Sequence, residues 1–308
     1  MKTVLISGAT GMLGRALTDI LCNKGYQIHA LVRKELRDTE QIKYFQWNVE
    51  EGIIDSRCIE NVDAIIHLAG MNIGKKPWSK RVRQQILKSR TDSINIIYKL
   101  LTALSHQVRT VISSSGTGYY GDRGDKLMTE DQLPSDNFLG QTCLAWEQAV
   151  ALGSKYGLRC VYLRGGIILD KDQGALPILT KPFRFGFSPT FGNGKQWMPW
   201  IHIQDAVNMY CFALENEGLH GAYNMVAPEN TTNRQFSRYL AEQLHAPKWL
   251  PPIPAFLLRT VIGQMSTMML YSTKVSAERI INAGFRFQHP HVKEALADLY
   301  PPKTGKNN

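Results

Sequence analysis

The chain predicts an α/β fold: a doubly wound parallel sheet of the Rossmann type, followed by a smaller C-terminal α/β domain. Three observations predict it. Short apolar runs alternate with helical patterns through the first half, and the glycines of "SGATGMLG" (7–14) lie where the first run meets the first helix. After about residue 165 this alternation gives way to a texture rich in Gly, Pro and aromatics. Strands alternating with helices imply βαβ units, whose parallel sheet is covered on both faces and therefore reads as unbroken apolar runs.

The elements follow in order. "TVLIS" (3–7) is the first strand, and "MLGRALTDILCNKG" places Leu13, Leu17, Ile20 and Leu21 on one helical face before Gly25 stops it. Strands are expected at "YQIHALVR" (26–33), "IKYFQW" (42–47) and "VDAIIHLAG" (62–70), then a long polar helix over roughly 79–105. "VRTVISSSG" (108–116) and "LRCVYLRGG" (158–166) complete the series. The expected domains are 1–165, binding the nucleotide, and 166–300, with segments crossing between them and a flexible tail at 301–308.

Composition narrows the function classes. With 308 residues, 44% hydrophobic and 20% charged, the chain is that of a globular protein with a sizeable core. A net charge of +10 points to anionic ligands such as phosphates and nucleotides, or to a basic solvated face. The five cysteines are scattered without a C-x-x-C pair, which argues against a disulfide framework and a zinc site and fits a reducing compartment. No metal is expected. With a strand expected from the second residue, no leader is expected. The longest apolar stretch, 253–272, contains Arg259 and Gln264 and suits a small-domain or interface helix better than a membrane span. A cytoplasmic protein without a membrane partner is expected.

Gly8, Gly11 and Gly14 form G-x-x-G-x-x-G at the first strand–helix junction. Glycines let the backbone turn sharply and approach a pyrophosphate, while the helix N-terminus offers free N–H groups and a favourable dipole. Thr10, Met12 and Leu13 complete this candidate cradle. At the end of the second strand a carboxylate selects NAD, whereas arginine accommodates the 2′-phosphate of NADP. Here Arg33 and Lys34 precede the first carboxylate, Glu35, so NADP(H) is preferred over NAD(H). Leu68, Ala69 and Gly70 are small or apolar enough for the cofactor to lie along them, and His67 reads as a packing or hydrogen-bonding residue. Arg90 is a candidate cofactor contact, with a solvent-facing role as its alternative.

With these residues in place, the chain resembles the extended short-chain dehydrogenase/reductase family, which includes NAD(P)-dependent nucleotide-sugar epimerases and dehydratases. The resemblance rests on Ser7–Gly14, "HLAG" (67–70), "SSSGTGYYGD" (113–122) and "WIHIQDAV" (200–207), where Asp205 is expected to cap a helix. "CLAWE", "MPWIHIQD", "YNMVAP" and "AERIINAGFRF" point further to an atypical subgroup, the epimerase family proteins, over about residues 2–300. In active relatives a tyrosine handles the proton as hydride moves, and a lysine four residues later lowers its pKa from about 10. None of the twelve tyrosines here has lysine at that spacing. With Glu147 setting the register by analogy, the two positions fall on Leu139 and Cys143.

The resemblance makes Ser115 the substrate-contacting serine, expected to polarise a carbonyl, with Tyr120 and Cys143 as further catalytic candidates. A cysteine on an amphipathic helix also reads as a small buried hydrophobe. Arg164 stands either as a substrate contact or as a salt-bridge partner. Phe183, Phe185, Phe187, Trp197 and Trp200, with Lys181, Arg184 and Lys195, are expected to wall a small-molecule, nucleotide-linked substrate. The expectation is an NADP(H)-binding oxidoreductase or epimerase-like enzyme acting on a carbonyl or hydroxyl. The missing dyad favours its alternative, a non-catalytic NADP(H)-responsive binding protein. Nucleic-acid binding, a third reading from the same basic and aromatic mixture, lacks any RNA-module pattern. No oligomeric state is implied.

Overall fold

The first apolar run becomes β1 (Thr3–Ser7), buried at every position. It is followed by β2 (Gln27–Val32), β3 (Ile42–Asn48), β4 (Ile53–Ile54), β5 (Ala64–His67) and β6 (Thr110–Gly116). Then come β7 (Leu127–Met128), β8 (Arg159–Gly165), β9 (Ile167–Leu169), β10 (Trp200–His202), β11 (Gly221–Met225) and β12 (Lys274–Val275). The helices are α1 (Met12–Asn23), α2 (Lys80–Ala103), α3 (Phe138–Ala151), α4 (Leu176–Thr180) and α5 (Ile203–Glu215). Next are α6 (Asn233–Gln243), α7 (Ala255–Ile262), α8 (Thr267–Leu270), α9 (Glu278–Asn282) and α10 (Val292–Leu299). This computed structural model describes residues 2–247 and 250–301, so all of the expected tail but Pro301 lies outside the described residues.

Eight strands form one sheet in the order β11-β8-β6-β5-β1-β2-β3-β4. β1 pairs in parallel with both β2 and β5, β2 with β3, and β5 with β6; the two-residue edge strand β4 runs antiparallel to β3. Strand order therefore reverses at β1. In doubly wound sheets the crevice outside the strand ends at such a reversal is where ligands bind. Here the ends of β1 and β5 meet in register, Ser7 opposite His67, and deliver residues 8–14 and 68–70 to one place.

The chain divides into two compact units. The first takes Met1–Tyr119, Pro134–Arg164 and Val207–Tyr223; the second takes Tyr120–Leu133, Gly165–Ala206 and Asn224–Asn308. Each has its own core. In the first unit Leu5, Ile65, Val111, Ile94, Ile97 and Trp146 pack between the sheet and α2 and α3. Helix α2 is polar overall, yet its Ile86, Ile94, Ile97 and Leu101 recur at helical spacing and are buried, and Ser79 Oγ caps its start by accepting from Val82 N–H. In the second unit Leu176, Trp200, Phe236, Leu240, Val292 and Leu296 form the core. β9 and β10 pair in parallel there, as do β7 and β12.

The apolar stretch 253–272 does not form one helix. It breaks into α7, a 3-10 turn at Gly263–Ser266 and α8, with Gly263 at φ +56°, a conformation open to glycine at little cost. Among the described residues no helix is long and apolar enough to cross a membrane. Asp205 also differs from its expected role. It lies in the first turn of α5, wholly buried, and its carboxylate accepts the N–H groups of Gln288 and His289 (2.7 and 2.9 Å). His202 Nδ1 instead accepts from Gln204 N–H at that helix start.

Candidate active site

In the first unit the glycine loop is built as a cradle. Gly8 has φ +76°, and a Cβ there would lie 3.0 Å from the Leu68 carbonyl carbon and 3.1 Å from Ala69 N. The backbones of the two loops thus touch, which only glycine at residue 8 permits. Gly14 is tighter still, its hypothetical Cβ falling 2.2 Å from Gly8 O. Gly11 is the N-cap of α1 and carries no side chain to cap it, so the first-turn N–H groups remain available to a phosphate. Thr10 is exposed, and Met12 and Leu13 are half-buried on the same turn. Arg33 and Lys34 are exposed directly after β2.

His67 sits beneath this loop, wholly buried. Trp146 Nε1 can only donate, and it meets His67 Nδ1 at 3.3 Å, so Nδ1 bears the lone pair. The Nε2–H therefore points to Ser93 Oγ at 2.8 Å. Burial, with Arg90 nearby, pushes this imidazole down to about 3. It is a neutral, buried hydrogen-bonding group. Its unfolded value is about 6.5, so its contribution is complete above that pH and is lost as pH falls from there towards the folded value. The melting temperature is expected to drop across that acid range, with a shallower drop in His67→Gln, which cannot gain the charge.

Arg90 does not face solvent. Its Nη1 donates to the carbonyls of Ile86 (2.9 Å) and Met71 (3.2 Å), and its guanidinium lies 5.0 Å from the Trp146 ring centre. A Cβ on Gly70 would meet it at 3.2 Å. Arg90 thus buttresses the 68–71 segment from behind.

A buried polar group in this unit centres on a residue the sequence offered only as a register mark. Glu147, on α3, is buried and receives Arg164 Nε and Nη2 as a fork, each at 2.8 Å. Ser115 Oγ donates to Glu147 Oε1 at 2.6 Å. Arg164 also lies 3.6 Å over the Tyr119 ring. Of its two open roles, the structure gives Arg164 that of a buried salt-bridge partner. A glutamate as the only charged residue of its helix, with an arginine near the end of an apolar strand, was the available sign of this pair. Ser115, 9% exposed, has one proton and spends it on the carboxylate, so the expected donation to a carbonyl is corrected: towards a ligand Ser115 presents lone pairs.

Cys143 is one helical turn before Glu147, on the same face and buried. Burial, reinforced by Glu147, pushes its thiol up to about 11. It stays protonated at neutral pH and packs as a small hydrophobe. Leu139, at the other dyad position, packs on Gly118, whose added Cβ would lie 3.2 Å from it.

The second unit holds the remaining candidates. Tyr120 is wholly buried, and its hydroxyl donates to Asn224 Oδ1 at 2.6 Å. Asn224 Nδ2 in turn donates to Ser276 O at 3.0 Å. That tyrosine is a core anchor rather than a proton donor facing a ligand. Trp200 is also core, 1% exposed, with Nε1 donating to Thr231 Oγ1. It is not part of a substrate wall. Trp197 is half-buried, its Nε1 held by Asp125 Oδ1 (2.7 Å) and its ring under Lys274. His202, His289 and Asp298 bring potential ligand atoms within 4.8 Å of one another. The Gln204 N–H on His202 Nδ1 leaves the proton on Nε2, 3.3 Å from Asp298 Oδ2, so that nitrogen offers a cation no lone pair.

Comparison with known proteins gives consistent likenesses. The family model for the NAD dependent epimerase/dehydratase family matches residues 4–225, and a domain of unknown function matches 253–299. The chain is 35% identical over 299 residues to the epimerase family protein YfhF of Bacillus subtilis, covering 96% of this chain and 97% of that protein. It is 30% identical to the epimerase family protein ML0860 of Mycobacterium leprae, over 96% of this chain and 94% of that one. Among solved structures, human epimerase family protein SDR39U1 with NADPH superposes with a TM-score of 0.84 at 27% identity, over 97% of this chain and 99% of that one.

Proposed function

Because the chain belongs to the NAD dependent epimerase/dehydratase family of short-chain dehydrogenase/reductases, we propose that it is an NADP(H)-dependent oxidoreductase or epimerase-like enzyme working without the tyrosine–lysine dyad. The observation that carries this reading is the cradle of Gly8, Gly11 and Gly14 against Leu68 and Ala69, followed by an exposed Arg33 where a carboxylate would select NAD. Bound there, the cofactor supplies hydride transfer. The pyrophosphate would rest on the uncapped N–H groups of α1, and Arg33 would hold the 2′-phosphate with its planar fork. Gly70, backed by Arg90, would border the adenosine.

Ser115 would receive the substrate. With its proton on Glu147, it accepts a hydrogen bond, which selects a hydroxyl-bearing small or nucleotide-linked molecule over a bare carbonyl. Glu147, fixed by Arg164, sets that polarity. It is a positioning residue.

A second reading is supported by a specific observation: neither the buried Tyr120 nor the protonated Cys143 is placed to move a proton. On that reading the chain binds NADP(H) and responds to its redox state without turnover. Fluorescence titration tests the cofactor assignment. Arg33→Ser is expected to weaken NADPH binding about 10- to 100-fold, the worth of a lost charged hydrogen-bond pair, and to leave NADH within about 3-fold, well inside the scatter of one such bond. Equal effects on both cofactors would remove Arg33 from the site. Reduction of bound NADP⁺ by a nucleotide-linked alcohol would establish the enzyme; tight NADPH binding with no turnover in either direction would favour the responsive binding protein.

A further inference from the structure

The second unit carries exposed elements to which the cofactor cradle and the Ser115–Glu147–Arg164 group give no part. No Asp or Glu occurs between Asp172 and Asp205, nor between Glu242 and Glu278, and these are the chain's longest stretches free of acids. Folding joins them. Ser188 N–H donates to Pro251 O, Ile253 N–H to Thr190 O, and Gly192 N–H to Ile253 O, so the two acid-free stretches run side by side. Gln196 Nε2 adds a bond to Met269 O (2.9 Å).

On either side of this seam, large apolar side chains stand in water. Phe185 is 76% exposed, Phe256 71% and Val261 70%, with Phe187 and Leu257 each near half. α7 buries none of its eight residues, and neither does the 3-10 turn Lys181–Phe185. Lys181, Arg184 and Arg259 are exposed on these same two elements. Each of the two elements thus sets exposed apolar side chains beside cations with no acid between them, a pattern that marks an interaction surface more than apolar residues scattered singly do.

We propose that this face docks on the surface of an anionic lipid bilayer, with Phe185 and Phe256 inserting at the headgroup level and the lysine and arginines meeting lipid phosphates. Charge complementarity selects the occupant. Both elements carry cations and no carboxylate, so a partner that matches them is anionic and apolar at once, which describes an anionic membrane interface. The aliphatic Leu257 and Val261 weigh against single-stranded nucleic acid, which uses aromatic platforms on which bases stack. Docking of this kind needs no spanning helix, and short basic segments carrying exposed aromatics are suited to it.

Vesicle flotation of the full chain tests the proposal. Binding is expected to phosphatidylcholine vesicles containing phosphatidylglycerol, little to phosphatidylcholine alone, and release at high salt. Phe185→Ser with Phe256→Ser removes apolar surface without changing charge, and is expected to weaken partitioning about tenfold or more while NADPH titration stays as in the parent chain. Lys181→Gln with Arg184→Gln should weaken it similarly. Any of four results would overturn the proposal. One is absence of binding to the anionic vesicles at low salt. Another is binding indifferent to the serine pair, which would leave only the general charge of the chain. The third is sedimentation showing a dimer that the serine pair converts to monomer, which would assign the face to a second copy. Tighter, phenylalanine-dependent binding to single-stranded RNA than to vesicles would also replace lipid with nucleic acid.

Discussion

Replacing Glu147 by alanine is expected to cost about 3–5 kcal/mol of folding stability, the range for removing one partner of a buried ion pair. The guanidinium of Arg164, 3% exposed, loses both forked bonds and keeps its charge in a buried place without the carboxylate that balances it. The loss should appear in urea denaturation followed by tryptophan fluorescence. A paired substitution separates charge from shape. Glu147→Leu with Arg164→Met removes both charges and keeps the volume, and buried pairs replaced in this way are often neutral or more stable. The double variant should therefore be more stable than Glu147→Ala. If the single variant loses less than about 1 kcal/mol, the value for an exposed pair, the network is not the structural tie described here. Glu147→Gln adds a functional readout. It frees the Ser115 proton to point elsewhere, so a change in preference from hydroxyl to carbonyl ligands would follow from Glu147 orienting Ser115, whereas a purely structural glutamate would lower stability and leave that preference unchanged.

Glu147 also illustrates which parts of the chain were legible. The sheet was, because strands covered on both faces must be apolar throughout, and "TVLIS", "AIIH" and "CVYL" leave no other reading. The glycine cradle was legible for a related reason: its backbone geometry depends on the absence of a side chain, which sequence states directly. Side-chain roles were harder. Tyr120 and Trp200 attracted functional assignments because aromatics with polar handles serve at binding sites, but the same chemistry anchors cores, and only the partners distinguish the two. Asn224 and Thr231 lie 104 and 31 residues away from those aromatics. The short pairs β7 with β12 and β9 with β10 were invisible for the same reason, since two- or three-residue strands have no period to detect and are defined by distant partners. The place of Arg90 stayed open between cofactor and solvent because its helix is polar overall. Its side chain is instead held by backbone carbonyls in front of Trp146.

Gly14→Ala is expected to reduce NADPH affinity about a hundredfold or more, a loss of roughly 2.7 kcal/mol, for the addition of one methyl group. The new Cβ would fall 2.2 Å from Gly8 O and 2.7 Å from Ala9 Cα. Both are backbone atoms, so neither can rotate away as a side chain would. α1 must move outward or the loop must deform. Gly8 cannot absorb the deformation, because it is itself held at φ +76° against the Leu68 carbonyl carbon. Either movement turns the N–H groups at the start of α1 away from the pyrophosphate, and the affinity they confer depends on that aim. Gly25→Ala provides the control. Gly25 ends the same helix at φ +83° with nothing within 4 Å of an added Cβ, so alanine there incurs only the left-handed backbone strain, about 1–2 kcal/mol. Both variants disturb α1, one at the cofactor end and one at the far end. If the loop is the cradle, isothermal titration will show NADPH binding lost in Gly14→Ala and retained in Gly25→Ala. Parent-like binding in Gly14→Ala would mean that the dinucleotide does not bind at this strand–helix junction, and the nicotinamide reading of the whole chain would fail with it.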